Sequence, residues 1–328
     1  MVCVSIRNTN QAIRIQRAGA ALELVQLETF LAVAEERSFS RAAARLHRTQ
    51  PAVSQAIAKL EQELGEVLFE RTSRDGTLTD AGEVLREYAL KLLNLRTEAS
   101  GALTDLRELH RGRLNLAANE YTCLYLLPLL DEFRRQNPRI KLAVQRALAS
   151  RISDEVLMHS VEIGVLSFRP DDPQVKSVVV YRDELTFVVN PRHALAKVGE
   201  VSIRQLGGQN FIAHNIPSPQ RQKVIQTFKR HKTRLQMGVE LPSLEAIKRF
   251  VAMGNDVALV PGLTVRTELE NGSLVRVQVP ELQMERKLRL VHRRQASLSH
   301  AAVAFLKVVE AYAAKHGDPY CFQAERGI

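Results

Sequence analysis

Ser54, Gln55 and Lys59 lie within "QPAVSQAIAKLEQELG", residues 50–65, and bring hydrogen-bonding groups close together along the chain. A glutamine carboxamide both donates and accepts, which suits the edge of a base, while serine and lysine reach bases or phosphates. Such groups read a duplex only if a helix holds them on an exposed side. The apolar spacing supplies one: Val53, Ile57, Leu60 and Leu64 fall within about 60° of one another on a helical wheel. Gln55, Ala58, Lys59 and Pro51 point the other way, with Ser54 on the flank. Pro51 suits a first helical position, and Gly65 a C-cap. A polar outer face is also what any surface helix of a bundle needs, so this stretch alone leaves both readings open.

Its neighbours are the elements that would position it. Residues 24–37 place Leu27, Phe30, Leu31 and Ala34 on one helical face. Ser38 or Ser40 can cap a short second helix with Ala42, Ala43 and Leu46 on its apolar side, and "HRTQ" then breaks the pattern. Two short helices joined tightly, the second exposing polar groups near its start, is helix-turn-helix geometry. "VLFERTSRDGTLTDAG", residues 67–82, reads as a hairpin around Asp75 and Gly76, with Arg71 and Arg74 on the arm where phosphates would lie. Asp80 with Glu83 reads as a capping box for another helix.

Residues 24–82 resemble the winged helix-turn-helix of the LysR-type transcriptional regulators. The resemblance is carried by "LETFLAVAEERSFSRAAARL", "QPAVSQAIAKLEQELG", "LFERTSR" and "LTDAG", in the family's order and spacing. It implies that Ser40, Gln50, Pro51, Ser54, Gln55 and Lys59 face DNA, and that Arg71 and Arg74 sit on the wing. Thr49 stands where a serine is usual, and His47 and Arg48 occupy the turn. The resemblance further implies a cytoplasmic homodimer on an inverted-repeat operator, tetramers that bend DNA, and RNA polymerase as a partner if the protein activates.

After this module, Leu85, Tyr88, Leu92, Leu95, Ala99, Ala102, Leu106 and Leu109 alternate spacings of three and four. That narrow seam asks for a partner helix, whereas a helix packed on its own domain would carry a broader stripe. The family's linker helix, through which subunits pair, matches it.

From Arg113 the pattern becomes α/β, with strand candidates "RLNLAAN", "IKLAVQRA", "VEIGVLS", "LTFVVN", "NFIAH", "GVELP", "DVALVP" and "KLRLVHR" and a largely parallel sheet expected. The expected whole is α/β with an N-terminal winged helix-turn-helix, a long linker helix and a two-lobed, periplasmic-binding-protein-like effector domain. Its expected divisions are a basic extension at 1–21, the DNA-binding domain at 22–82, the linker helix at 83–111 and the effector domain at 112–318. Within the last, lobe I spans 112–188 and 289–318, lobe II spans 189–288, and 319–328 form a tail. Ligands of such sheets bind beyond the C-terminal ends of strands and at helix N-termini. This points to Asn119, Tyr121, Thr122, Ser167, Arg169, His214, Asn215, Ser243 and Pro261 as candidate effector contacts. The alternative for each is a loop residue with no ligand role; Thr122 stands apart because, by the resemblance, it lies where the family often has a Ser or Thr opening the first helix.

Charge is unevenly spread. The chain carries +10, yet residues 22–83 hold seven basic and eleven acidic residues, while 112–328 hold 31 and 21. The surplus in the effector region is compatible with an anionic effector or with a solvated surface. Nothing in the sequence suggests an enzyme: no phosphate-loop, dinucleotide, zinc-protease or serine-hydrolase pattern occurs, and the three cysteines are far apart. Cys123 reads as a small core residue rather than a nucleophile. No cofactor or metal is expected, and no apolar run is long enough for a membrane span. A solute-binding component using only the two-lobed domain is the alternative, but it would leave the winged helix without a purpose. Residues 1–21 contain Arg7, Arg14 and Arg17 and no acid. They read as a basic arm on DNA, a targeting peptide, or sequence upstream of a start at Leu22.

Overall fold

The computed structural model describes residues 22–70, 76–107, 112–295 and 298–325. The extension 1–21 and the wing residues Arg71 and Arg74 lie outside them. The chain divides into two compact units between Arg96 and Thr97.

In the first unit, α1 (Leu24–Glu36), α2 (Phe39–Arg45) and α3 (Gln50–Leu64) enclose a core of Leu27, Phe30, Val33, Ala42, Val53, Ile57, Leu60 and Leu68. Ser38 caps α2, its Oγ accepting from the Arg41 N–H at 3.3 Å, so Ser40 is left free of that duty. The turn between α2 and α3 closes through the Arg48 N–H on the Ala43 carbonyl, with His47 left-handed at φ 53°. Gln50 is the first residue of α3 and Pro51 the second, one place later than expected. Antiparallel pairing of Phe69 with Leu78 joins the two arms of the hairpin. Glu61 of α3 ties down the first arm, accepting from the Leu68 N–H at 2.7 Å and the Phe69 N–H at 3.3 Å.

The long helix α4 (Asp80–Arg107) is not opened by the expected Asp80–Glu83 capping box. Thr79 does that work: its Oγ1 accepts from the Gly82 N–H at 3.1 Å and donates to the Val67 carbonyl at 2.6 Å. One side chain thus both caps the helix and fastens it to the hairpin. Of the expected seam, Leu85 packs into the core of its own unit, while Tyr88, Leu92, Leu95 and Ala99 are exposed.

The second unit is built on strands β1 (Arg113–Ala118), β2 (Lys141–Arg146), β3 (Ile163–Leu166), β4 (Val175–Val189), β5 (Asn210–His214), β6 (Gln236–Leu241), β7 (Ala258–Pro261), β8 (Val275–Arg276), β9 (Glu285–Arg293) and β10 (Tyr320–Ala324). Its helices are α5 (Glu120–Gln136), α6 (Ile152–Leu157), α7 (Pro219–Arg230), α8 (Leu244–Met253), α9 (Gly262–Glu270) and α10 (His300–His316). Lobe I orders its sheet β10-β4-β9-β3-β1-β2. The β1–β2, β1–β3 and β5–β6 pairs are parallel, but every partner of β4 and the β3–β9 pair are antiparallel. The sheet is therefore mixed, not largely parallel.

The antiparallel strands are the crossing points. β4 pairs with β9 up to Glu184, then with β7 from Leu185 and with β8 at its end, so the chain enters lobe II at 184–185. It returns at Glu285. Both crossings come three or four residues earlier than expected, because β4 is one 15-residue strand. The expected tail instead contains β10, an edge strand that lies antiparallel on β4.

Gly82 tests the hairpin–α4 joint. A Cβ there would press into the Leu68 carbonyl oxygen and lie 2.9 Å from Leu78 Cδ2. Helix propensity alone favours Gly82→Ala by ~1 kcal/mol, whereas overpacking costs ~1–3 kcal/mol. The expected outcome is net destabilisation, read as a lower denaturation midpoint. A raised midpoint would mean that the hairpin does not press on α4.

Candidate DNA-binding face and effector cleft

On the first unit, α3 buries Val53, Ile57 and Leu60 and turns Gln50, Pro51, Gln55 and Lys59 to solvent, with Ser54 half-buried. Ser40 is exposed on α2. The Gln50 Nε2 donates to Ser54 Oγ at 2.9 Å, which orders two of these groups at the start of the helix. Lys59 lies 3.6 Å from Glu63, whose other oxygen accepts from Gln26 Nε2 at 2.6 Å. Gln55 has no such tether among the described residues, so its carboxamide is free to pair elsewhere. The face is small-residued at Ala52 and Ala58, which allows close approach of a backbone.

In the second unit a cavity of about 360 Å³ lies between the lobes. Asn119, Tyr121, Ser167, His214 and Pro261 line it, each at or just beyond the C-terminal end of β1, β3, β5 or β7. The other four candidates do not. Thr122 is fully buried and occupied by capping: its Oγ1 accepts from the Asn119 N–H at 3.0 Å, while Asn119 Oδ1 accepts from the Thr122 N–H at 2.9 Å. Ser243 caps α8, accepting from the Ala246 N–H at 3.3 Å. Arg169 and Asn215 are absent from the lining, and Arg169 acts electrostatically on Glu325.

The lining contains groups that the sequence reading passed over. Arg286 of β9 is 4% exposed and lies at the floor of the cleft. It faces its cross-strand partner Asp183 at 3.7 Å and donates to Tyr121 Oη at 2.7 Å, the guanidinium 4.8 Å from that ring's centroid. Its Nε has no partner. Burial pushes the Asp183 carboxyl above the usual carboxylate range, despite Arg286 and the Leu263 N–H at the start of α9. Arg146, at the end of β2, has no ion pair or hydrogen bond among the described residues.

Gln220 Oε1 is buried without a donor. His214 Nδ1 accepts from the Ile216 N–H at 3.1 Å, which leaves its proton on Nε2. Burial, helped by Arg146 and Arg221, holds that imidazole below its usual range. Leu148, Phe168, Ile216, Val224, Met237 and Leu244 make the remaining wall apolar.

Burial raises the Cys123 thiol, which disfavours a thiolate, and no cluster of metal-ligating side chains occurs among the described residues. No helix among them is long and apolar enough to cross a membrane.

Two family descriptions match the chain: "Bacterial regulatory helix-turn-helix protein, lysR family" over residues 24–83 and "LysR substrate binding domain" over 107–314. A probable RuBisCO transcriptional regulator of Cyanidioschyzon merolae is 33% identical over 289 residues, covering 86% of this chain and 95% of the relative. The RuBisCO operon transcriptional regulator of Allochromatium vinosum is 29% identical over 294 residues, covering 90% and 97%. Among solved structures, full-length CbnR complexed with its target DNA superposes with a TM-score of 0.69 at 21% identity, covering 88% of this chain and 99% of that one. The regulatory domain of Synechocystis CcmR in complex with 2-PG superposes with a TM-score of 0.58 at 22% identity, covering 62% and 98%. At these identities the structural likeness speaks for the fold. The two family matches and the relatives place the chain in the LysR family of transcriptional regulators: it is a DNA-binding, effector-controlled regulator and not an enzyme.

Proposed function

We propose that two copies pair through the exposed seam of α4, set two α3 helices on an inverted-repeat operator in the cytoplasm, and respond to an anionic metabolite held between the lobes. Dimers pair further into tetramers, and RNA polymerase is the partner if the protein activates. The observation that carries the effector assignment is the cleft itself: an apolar cavity with a buried, incompletely partnered Arg286 and an untethered Arg146. An anion offers Arg286 the partner that its Nε lacks, and a charge-assisted hydrogen bond there is stronger than a neutral one. Gln220 Oε1 asks in addition for a donor, such as an effector hydroxyl. The 2-PG held by the CcmR regulatory domain is a sensible first ligand to try. Closure of one lobe on the other around such a ligand shifts the population of two arrangements, as far as its differential affinity allows.

Calorimetry against a panel of carboxylates, phosphates and neutral metabolites tests this assignment. Arg146→Gln should weaken anion binding about tenfold or more, as expected for loss of a charge-assisted bond of ~1.5–3 kcal/mol. Thr122→Val should leave it unchanged while lowering thermal stability through the lost cap. Tight binding of neutral or cationic ligands alone would overturn the anion reading. The folded His214 imidazole titrates below its unfolded value of ~6.5, so its contribution to stability is present above that pH and is lost as pH falls. Protonation there adds a positive charge to a lining that already holds Arg146, Arg221 and Arg286, so anion affinity should rise, not fall, on acidification through that range.

Gln55→Ala should weaken binding to a specific operator by ~1–3 kcal/mol and leave binding to random duplex nearly unchanged. Identical losses on both duplexes in salt-matched titrations would remove Gln55 from base reading. For the seam, Leu92→Asp with Leu95→Asp sets charges on a face that needs apolar partners. Light scattering should then report a smaller particle, with operator affinity lost, while each unit stays folded. An unchanged mass would exclude α4 as the pairing surface.

A further inference from the structure

The module that carries α3 is net acidic, so the chain's surplus of positive charge lies elsewhere. Residues 201–239 contain seven basic residues, Arg204, Arg221, Lys223, Lys229, Arg230, Lys232 and Arg234, and no Asp or Glu. At the chain's average density this stretch would hold about four carboxylates. Lys223, Lys229 and Arg230 stand exposed on α7, Lys232 and Arg234 on the turn after it, and Arg204 on the 3-10 turn Ile203–Leu206. The last two segments abut: a Cβ at Gly207 would lie 3.6 Å from the Arg204 carbonyl and 3.9 Å from the Arg234 amide.

Several bases elsewhere are paired with carboxylates, as in Arg45 with Glu35, Lys91 with Glu87, Lys248 with Glu268 and Arg289 with Glu325. In this stretch Arg221 pairs with Glu240, and the other six basic side chains make no ion pair among the described residues. The C-terminal dipole of α7 favours Lys229 and Arg230 in its last turn. It does not account for 39 residues without a carboxylate, since a face that serves solubility alone mixes both signs.

We propose that this face of lobe II is a second DNA-binding surface, one that engages phosphates without reading sequence while α3 supplies specificity. A polyanion is the partner because the patch is single-signed and unpaired. DNA is favoured over an acidic protein for two reasons. Protein interfaces are anchored by exposed apolar or aromatic side chains, and the single exposed large hydrophobic of residues 201–239, Ile216, lines the cleft. Once α3 is seated, moreover, the same duplex supplies phosphates at high effective concentration. Such contacts release counterions and so appear in the salt dependence of binding and not in sequence preference.

The test uses the full-length chain and a long random-sequence duplex. The variant carries Lys229→Gln, Arg230→Gln, Lys232→Gln and Arg234→Gln, with its melting temperature compared with the wild type. Its slope of log affinity against log salt should be shallower by ~0.9 for each lost phosphate contact, about 2–4 in all, and its Kd at low salt about tenfold higher or more. Lys229→Arg with Lys232→Arg should restore neither loss nor gain, binding as the wild type does. If the fourfold variant melts early, the pairs 229/230 and 232/234 changed separately read the same slope in two smaller steps. An unchanged slope overturns the proposal. An unchanged slope together with lost binding to poly-glutamate overturns it in favour of an acidic protein partner.

Discussion

One strand has to belong to both lobes at once, and the effector unit depends on how it crosses. β4 leaves one sheet and enters the other without a break, and β9 brings the chain back antiparallel beside it. At the crossing, Asp183 and Arg286 face each other across the pair, both almost wholly buried. Asp183 also holds the start of α9 in lobe II, and Arg286 holds Tyr121 of α5 in lobe I. This ion pair therefore fixes the first turns of helices from both lobes against the same two strands. Removing one partner of such a pair costs ~3–5 kcal/mol, because the other charge stays buried alone. The compensation is incomplete even in the intact protein, as Arg286 Nε and Asp183 Oδ2 lack hydrogen bonds. The floor of the cleft thus keeps spare hydrogen-bonding capacity.

The rule that ligands gather at the C-terminal ends of strands points to five residues that line the cavity, but it cannot tell used side chains from free ones. Thr122 and Ser243 begin helices, and in both cases the hydroxyl is consumed by the helix it begins. A capping residue and a ligand contact occupy the same place in a sequence pattern. They differ only in whether a backbone N–H reaches the oxygen first. Arg286 was legible in principle: it alternates with Leu288, Leu290 and His292, so it shares a strand face with buried residues. Its partner Tyr121 lies 165 residues away, and no local pattern announces that contact.

Helices with one apolar face were read well, and strands buried on both faces were not. α1 and α3 carry clean helical periodicity because one side of each meets solvent. In β4 nearly every residue is buried, so "VKSVVVYRDELTFVV" has no alternation to mark its beginning, and only its second half was recognised. The same blindness moved both lobe crossings by several residues and reduced β10 to a tail. Helix α4 lies between these cases. Its seam was visible as a repeat, but the local packing of Leu85 depends on Thr79 and Gly82 placing the hairpin against it.

The returning strand β9 also reaches beyond the cleft. Arg286 and Arg293 are seven residues apart on β9, roughly 23 Å at strand rise. Arg293 is buried, donates to the Val156 carbonyl at 2.8 Å and reaches Glu98 of α4 at 2.8 Å, where His159 meets the same carboxylate. A hydrogen-bonded strand moves as a body, since slipping its register by one residue would turn every side chain to the opposite face. On the proposed effector role of the cleft, a ligand that altered how Arg286 sits would act on an element whose far end bonds Glu98 of the long helix. The coupling has no need of a chain of small side-chain adjustments. It would ask only that two lobe arrangements place β9 differently against Glu98, and that the proposed ligand favour one of them by differential contacts at Arg286.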